Sequence, residues 1–180
     1  MPQKTIMFLR PRKFGKTLFT SILENYYDKS KIECFEKLYG NTYIGKNPTK
    51  LRNSYCILKF NFSNIDTSTE ETTIRDFKNS TIESIRLFIE KYNIDFHINE
   101  NYEVEEILNS LFMAFLIQKS NEEIYVIIDE YDYFANELLE FNPEEFDVLV
   151  SKSKKIRRWY EILKKGTETV VDRIFITGVA

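Results

Sequence analysis

The chain has 180 residues, 43% of them hydrophobic and 15% aromatic, with a formal net charge of −3. That length and apolar content predict one domain, residues 1–180, able to bury a sizeable and largely aromatic core. The slight acidic balance argues against the whole chain binding nucleic acid by charge, and no apolar run approaches the length of a membrane span.

In chain order, Thr5 to Leu9 reads as a short apolar strand, followed by the basic loop Arg10-Pro11-Arg12-Lys13-Phe14-Gly15. A helix is predicted over 15–27, with Leu18, Ile22 and Leu23 on one face at helical spacing. A second short helix carries Ile32, Phe35 and Leu38, and Gly45, Asn47 and Pro48 break the polar loop after it. Residues 55–62 read as a second strand, closed by Ser63-Asn64-Ile65-Asp66. The spacing then predicts a long amphipathic helix over 69–92, with Phe77, Ile82, Ile85 and Phe88 inward, and another over 104–118. Residues 124–128 form a continuous apolar run ending in Asp129 and Glu130, the signature of a strand buried on both faces. Residues 138–143 read as an irregular or helical excursion. A helix within 144–165 places Trp159, Ile162 and Leu163 toward the core and ends at Gly166. A last strand runs from Arg173 to Thr177. Strands alternating with helices predict a mostly parallel α/β sheet with helices on both faces, and such sheets bind ligands at the carboxyl ends of their strands.

Three segments carrying chemistry fall at such ends. The first is Phe14-Gly15-Lys16-Thr17, between strand and helix. Backbone N–H groups at a helix N-terminus and the helix dipole attract phosphate. A lysine there reaches the β/γ-phosphates, and a Ser/Thr hydroxyl ligates magnesium. The general pattern is G-x-x-x-x-G-K-S/T, and its first position here is Arg10, so the loop alone is weak evidence and an ordinary helix start explains it equally well. The second is Asp129-Glu130: Asp129 would hold the metal and Glu130 would orient and deprotonate the attacking water. The third is Thr177, at the tip of a strand expected between the other two. Either it touches the γ-phosphate or lytic water, or it is a strand-terminal threonine in a turn. Two half-motifs in order, each on the right element, favour a nucleoside-triphosphate site with ATP and Mg2+.

Other residues bound the chemistry. Cys34 and Cys56 lack metal-ligand spacing, and with no secretory pattern they read as reduced thiols of a cytoplasmic protein. His97 is the only histidine, which excludes a histidine triad or histidine-rich metal site; it reads as a surface loop residue. The basic run Lys152, Lys154, Lys155, Arg157, Arg158, Lys164 and Lys165 reads as a solvated helix face, with a nucleic-acid accessory role as the weaker alternative.

The loop from Phe8 to Leu18 resembles that of the predicted AAA-ATPase-like family, whose hallmark is R-P-R-R/K-F-G-K-S/T. Phe35-Glu36-Lys37-Leu38-Tyr39, Asp129-Glu130-Tyr131-Asp132, Trp159-Tyr160-Glu161-Ile162-Leu163-Lys164 and Phe175-Ile176-Thr177-Gly178-Val179 are similar to further segments of that family. The resemblance runs from about residue 6 to the end, and accounts for Arg10 at the first loop position. It implies a P-loop NTPase three-layer sandwich. Its Walker A loop (Arg10, Arg12, Lys13, Phe14, Gly15, Lys16, Thr17, Leu18) would bind ATP. Thr17 and Asp129 would bind magnesium. Glu130, Lys16 and Thr177 would carry catalysis. Arg10 and Arg12 either stabilise transition-state charge or form structural ion pairs. Asp132 either orients a water, pairs with those arginines, or caps the next helix. Family members usually continue past T-G-V, often into a PD-(D/E)XK nuclease-like domain. The expectation is therefore a truncated copy with about four strands, the fifth missing beside the first, and an open sheet edge for self-association or a protein partner. The functional alternatives are an ATPase and a nucleotide-binding module without turnover.

Overall fold

The computed structural model describes residues 4–131 and 146–179, with side chains of 146–154 excepted. Its elements are β1 (Thr5–Leu9), α1 (Lys16–Tyr27), a 3₁₀ helix (Lys29–Cys34), α2 (Phe35–Tyr39), α3 (Tyr43–Lys46), β2 (Tyr55–Asn61), α4 (Glu70–Tyr92), α5 (Val104–Gln118), β3 (Glu123–Asp129), α6 (Phe146–Gly166) and β4 (Val171–Gly178). The strands form one parallel sheet in the order β1-β4-β3-β2. The predicted excursion over 138–143 and Asp132 lie outside the described residues.

Alternation along the strands divides the core. Leu58, Phe60, Val126, Ile128, Ile174 and Ile176 point to one face and pack with Phe77, Ile85, Leu111, Phe115, Trp159 and Leu163 from α4, α5 and α6. Tyr55, Ile57, Tyr125, Ile127 and Phe175 point to the other, against Phe8, Leu23 and Tyr27. The result is three layers: α1, the sheet, and α4–α6. Trp159 is fully buried, edge-on to Phe60, Phe62 and Phe77. Such aromatic contacts contribute about 0.5–1.5 kcal/mol each beyond area burial.

The long helices start where their sequences offer caps. Thr69 and Thr72 form a reciprocal capping box for α4, with Glu70 and Glu71 in its first turn, and Glu103 and Glu106 do the same for α5. Asn93, in the left-handed conformation at φ 52°, ends α4.

Of the expected inward trio on α1, Leu23 packs against the sheet and the other two do not. Leu18 and Ile22 are exposed, while Lys16, Thr20 and Tyr26 are buried. The helix turns a polar stripe to the strand ends at its start, and at its end sets Tyr27 against Tyr55 and Tyr125 of the sheet and Tyr26 against Phe35 and Tyr39. Ile32 and Leu38 are likewise exposed, and of that trio Phe35 alone is buried, against Tyr26 and Tyr39. Ile6, Met7 and Leu9 of β1 are also exposed, since β1 is an outer strand of the sheet.

The far end of α1 is pinned. Asp28, fully buried, accepts hydrogen bonds from Ser30 N–H and the Tyr92 hydroxyl, both at 2.8 Å, and pairs with Lys91. Tyr92 in turn accepts from Ile57 N–H at 2.8 Å. Glu24 bonds Lys59 at 3.0 Å. These contacts tie α1 to β2 and α4 and fix where its N-terminus points.

Candidate functional site: the loop between β1 and α1

The parallel register lines up Phe8, Thr177, Asp129 and Asn61 across the carboxyl ends of the four strands. Phe8 pairs with Thr177, Asn61 pairs with Asp129, and Thr177 follows the matched pair Ile128 and Ile176. All four lie on the α1 face, the one shared by Tyr125, Ile127 and Phe175. The N-terminus of α1 opens onto this row.

That N-terminus is unlike those of α4 and α5. Gly15 sits at its cap in the left-handed conformation, φ 79°, and offers no side-chain cap; the first turn carries no acid. The first-turn N–H groups of a helix have no partner within the helix, so this end presents donors and a positive dipole end with no built-in anion. Gly15 is required by its backbone angle and not by crowding, because a Cβ there would meet nothing within 4 Å. Lys13 is also left-handed, at φ 65°.

Lys16 is buried, and its ammonium donates to the carbonyls of Arg10 at 3.0 Å and Pro11 at 3.3 Å. The loop thereby wraps its own lysine, while Arg10 N–H donates to Gly178 O at 3.1 Å and anchors the loop to the end of β4. The Arg10 guanidinium lies 5.0 Å from the centre of the Phe8 ring. Arg12, Phe14, Thr17 and Leu18 are exposed around the loop.

Asp129 is buried, and hydroxyls reach both its oxygens. Thr177 Oγ1 donates to Oδ1 at 2.5 Å, and Thr20 Oγ1 lies 3.2 Å from Oδ2. Thr177 also accepts from Glu130 N–H at 3.2 Å, and Tyr131 N–H bonds the Thr177 carbonyl at 3.0 Å. Glu130 stands in the left-handed region at φ 58°, a conformation that costs a non-glycine residue on the order of 1 kcal/mol and recurs at functional sites. Thr177 therefore ties the two acids together and commits its proton to Asp129.

The structure thus brings Gly15, Lys16, Thr17, Asp129, Glu130 and Thr177 to one end of the sheet, as the motifs predicted. Thr20 and Asn61 were missed. The signal for Thr20 was available: it lies four residues after Lys16, on the same helix face. Asn61 gives no local signal, since only the β2–β3 register sets it beside Asp129. A separate cleft of about 1020 Å3 opens between the outer edge of β2 and α4, lined in part by Lys59, Ser80, Leu87 and Lys91. Of the strand-end row it includes only Asn61.

A parallel α/β sheet with a glycine-lysine loop between its first strand and helix defines the P-loop NTPase class of fold. Within it, the model for the Predicted AAA-ATPase family matches residues 1–180, and the chain belongs to that family. Family membership makes it a nucleotide-binding type of protein. Neither a search of curated proteins nor one of solved structures returned a match. No described helix is long and apolar enough to cross a membrane.

Proposed function

We propose that the chain is an ATP-binding P-loop module that hydrolyses ATP to ADP and phosphate with Mg2+ and uses the cycle to switch conformation. One observation carries the reading: an uncapped, acid-free helix N-terminus meets the buried Lys16 and the buried Asp129 at a single end of the sheet. Backbone N–H groups of residues 13–18 cradle the phosphates, and Lys16 reaches the β- and γ-oxygens. Arg10 and Arg12, on the rim of the loop, face the charge that develops on the transferred group.

The donors fit magnesium. The Thr17 hydroxyl and the Asp129 carboxylate are hard oxygen ligands, and the described residues contain no cluster of three metal-binding side chains. That suits an ion shared between one carboxylate, a hydroxyl, waters and substrate phosphates. When bound, it neutralises charge on the phosphate oxygens. Glu130 orients the attacking water and accepts its proton. Thr177 acts through the acids, holding Asp129 by its hydroxyl proton and Glu130 by its backbone.

Glu130→Gln is the test. It retains ATP binding and lowers phosphate release by about 10²–10⁴-fold, the span of a positioned general base. Unchanged release would refute Glu130 as the base, and no release from the wild-type protein with binding intact would leave a binding module. Among the described residues β1 has a partner on one side only; self-association would occur at its other edge, and sedimentation over a concentration series reads it: a coefficient that stays constant would count against it.

A further inference from the structure

Thr20 is a fully buried hydroxyl on the inner face of α1. Its Oγ1 lies 2.9 Å from the carbonyl of Thr17 and 3.2 Å from Asp129 Oδ2. A threonine hydroxyl has one proton, so these two acceptors share it. Thr17 and Asp129 are the two groups assigned to the metal, one on the helix and one on the sheet. Apart from Thr20, the Asp129 carboxylate is held by Thr177, which belongs to the sheet.

We propose that Thr20 is a positioning residue for the metal site: its hydroxyl couples the phosphate-binding helix to the Asp129 carboxylate and sets the separation of the two metal ligands. The inference rests on the nucleotide-site reading above. Without the hydroxyl, the carboxylate keeps its sheet partner but loses its tie to α1, so the two ligands move independently. Groups that orient metal ligands in this way typically affect metal affinity by about 10–100-fold. Nucleotide held without metal, through Lys16 and the loop amides, does not depend on that tie.

The experiment is calorimetric titration of ATP, once with excess Mg2+ and once with EDTA, into the full chain and into Thr20→Val and Thr20→Ser. The ratio of the two dissociation constants reads the metal's contribution separately from turnover. Thr20→Val reduces that ratio by about 10-fold or more and leaves affinity in EDTA within about twofold, because loop contacts are intact. Thr20→Ser restores the ratio. An equal ratio in Thr20→Val and wild type overturns the proposal, and so does Thr20→Ser failing like Thr20→Val, which would make the methyl group the part that matters. If Thr20→Val lacks a cooperative melt, Thr20→Ala is measured in its place with the same expectation. Wild-type protein that binds ATP in neither condition removes the nucleotide-site reading, and this inference with it. Binding with an unchanged ratio removes this inference alone.

Discussion

Thr177 shows how much one hydroxyl organises. It donates to Asp129 at 2.5 Å and accepts from Glu130 N–H at 3.2 Å, so its removal leaves a buried carboxylate oxygen and a backbone donor short of partners. Thr177→Val preserves shape and is expected to cost about 1–3 kcal/mol of stability, the penalty for stranding buried polar groups. Urea unfolding checks the cost, and a midpoint equal to wild type would mean that water replaces the hydroxyl without loss. Glu130 adds a point that its sequence position cannot reveal. Its left-handed backbone, φ 58°, turns the chain immediately after Asp129, so two adjacent acids do not follow the strand alternation. The types and order of Lys16, Thr17, Asp129 and Glu130 were readable in the sequence. The helix face of Thr20 and the strand-end place of Thr177 were readable too, but their meeting on one carboxylate was not, because those contacts span 109 and 48 residues.

At the scale of elements, legibility followed burial pattern. Residues 104–118 were expected as a helix and form α5, Val104–Gln118, because a capping pair precedes an unbroken apolar periodicity. The continuous apolar run of β3 and the alternation in β2 were equally clear. α1 was found, but only part of its inward face: Leu23 packs on the sheet, whereas Leu18 and Ile22 have the spacing of a core stripe and are exposed. The helix spends its inner face on Lys16 and Thr20, a choice that hydrophobic periodicity cannot register. What aims α1 is its other end, where buried Asp28 pairs with Lys91 and Tyr92. Asp28→Ala leaves the buried Tyr92 hydroxyl and the Ser30 N–H without their acceptor, while Lys91, at the surface, keeps Glu24; the substitution is expected to cost about 1–3 kcal/mol. It should also weaken ATP binding, since the loop loses its orientation. A variant as stable as wild type in thermal and urea melts would show that α1 is held by its aromatic contacts alone.

For the whole molecule, the sheet order β1-β4-β3-β2 places the β4 threonine between the loop strand and the acidic strand, as expected by likeness to P-loop ATPases with an additional strand there, since in sequence order that strand comes last. The aromatic content also becomes structural: Tyr55, Tyr125 and Tyr27 line the α1 face, and burial raises the pKa of each. Burial, reinforced by a hydrogen bond to Glu122, pushes the Cys56 thiol from 9.0 up to about 12. A raised folded-state pKa has a definite sign. Below pH 9 the thiol is protonated in both states and its contribution is intact; between 9 and about 12 the unfolded chain ionises first and stability falls. Tyr125, raised to about 12, acts in the same direction. Stability from urea unfolding is therefore expected to decline above pH 9, with a shallower decline in Cys56→Ala; a flat alkaline limb would contradict the burial of these groups.

The central claim is that the loop between β1 and α1 holds nucleotide phosphates through Lys16, and titration calorimetry of Mg-ATP into the wild-type chain and Lys16→Ala tests it most directly. The account predicts saturable binding to the wild type and none to Lys16→Ala, with both proteins melting cooperatively. Equal binding by the two would contradict it and place the nucleotide, if it binds at all, elsewhere on the molecule.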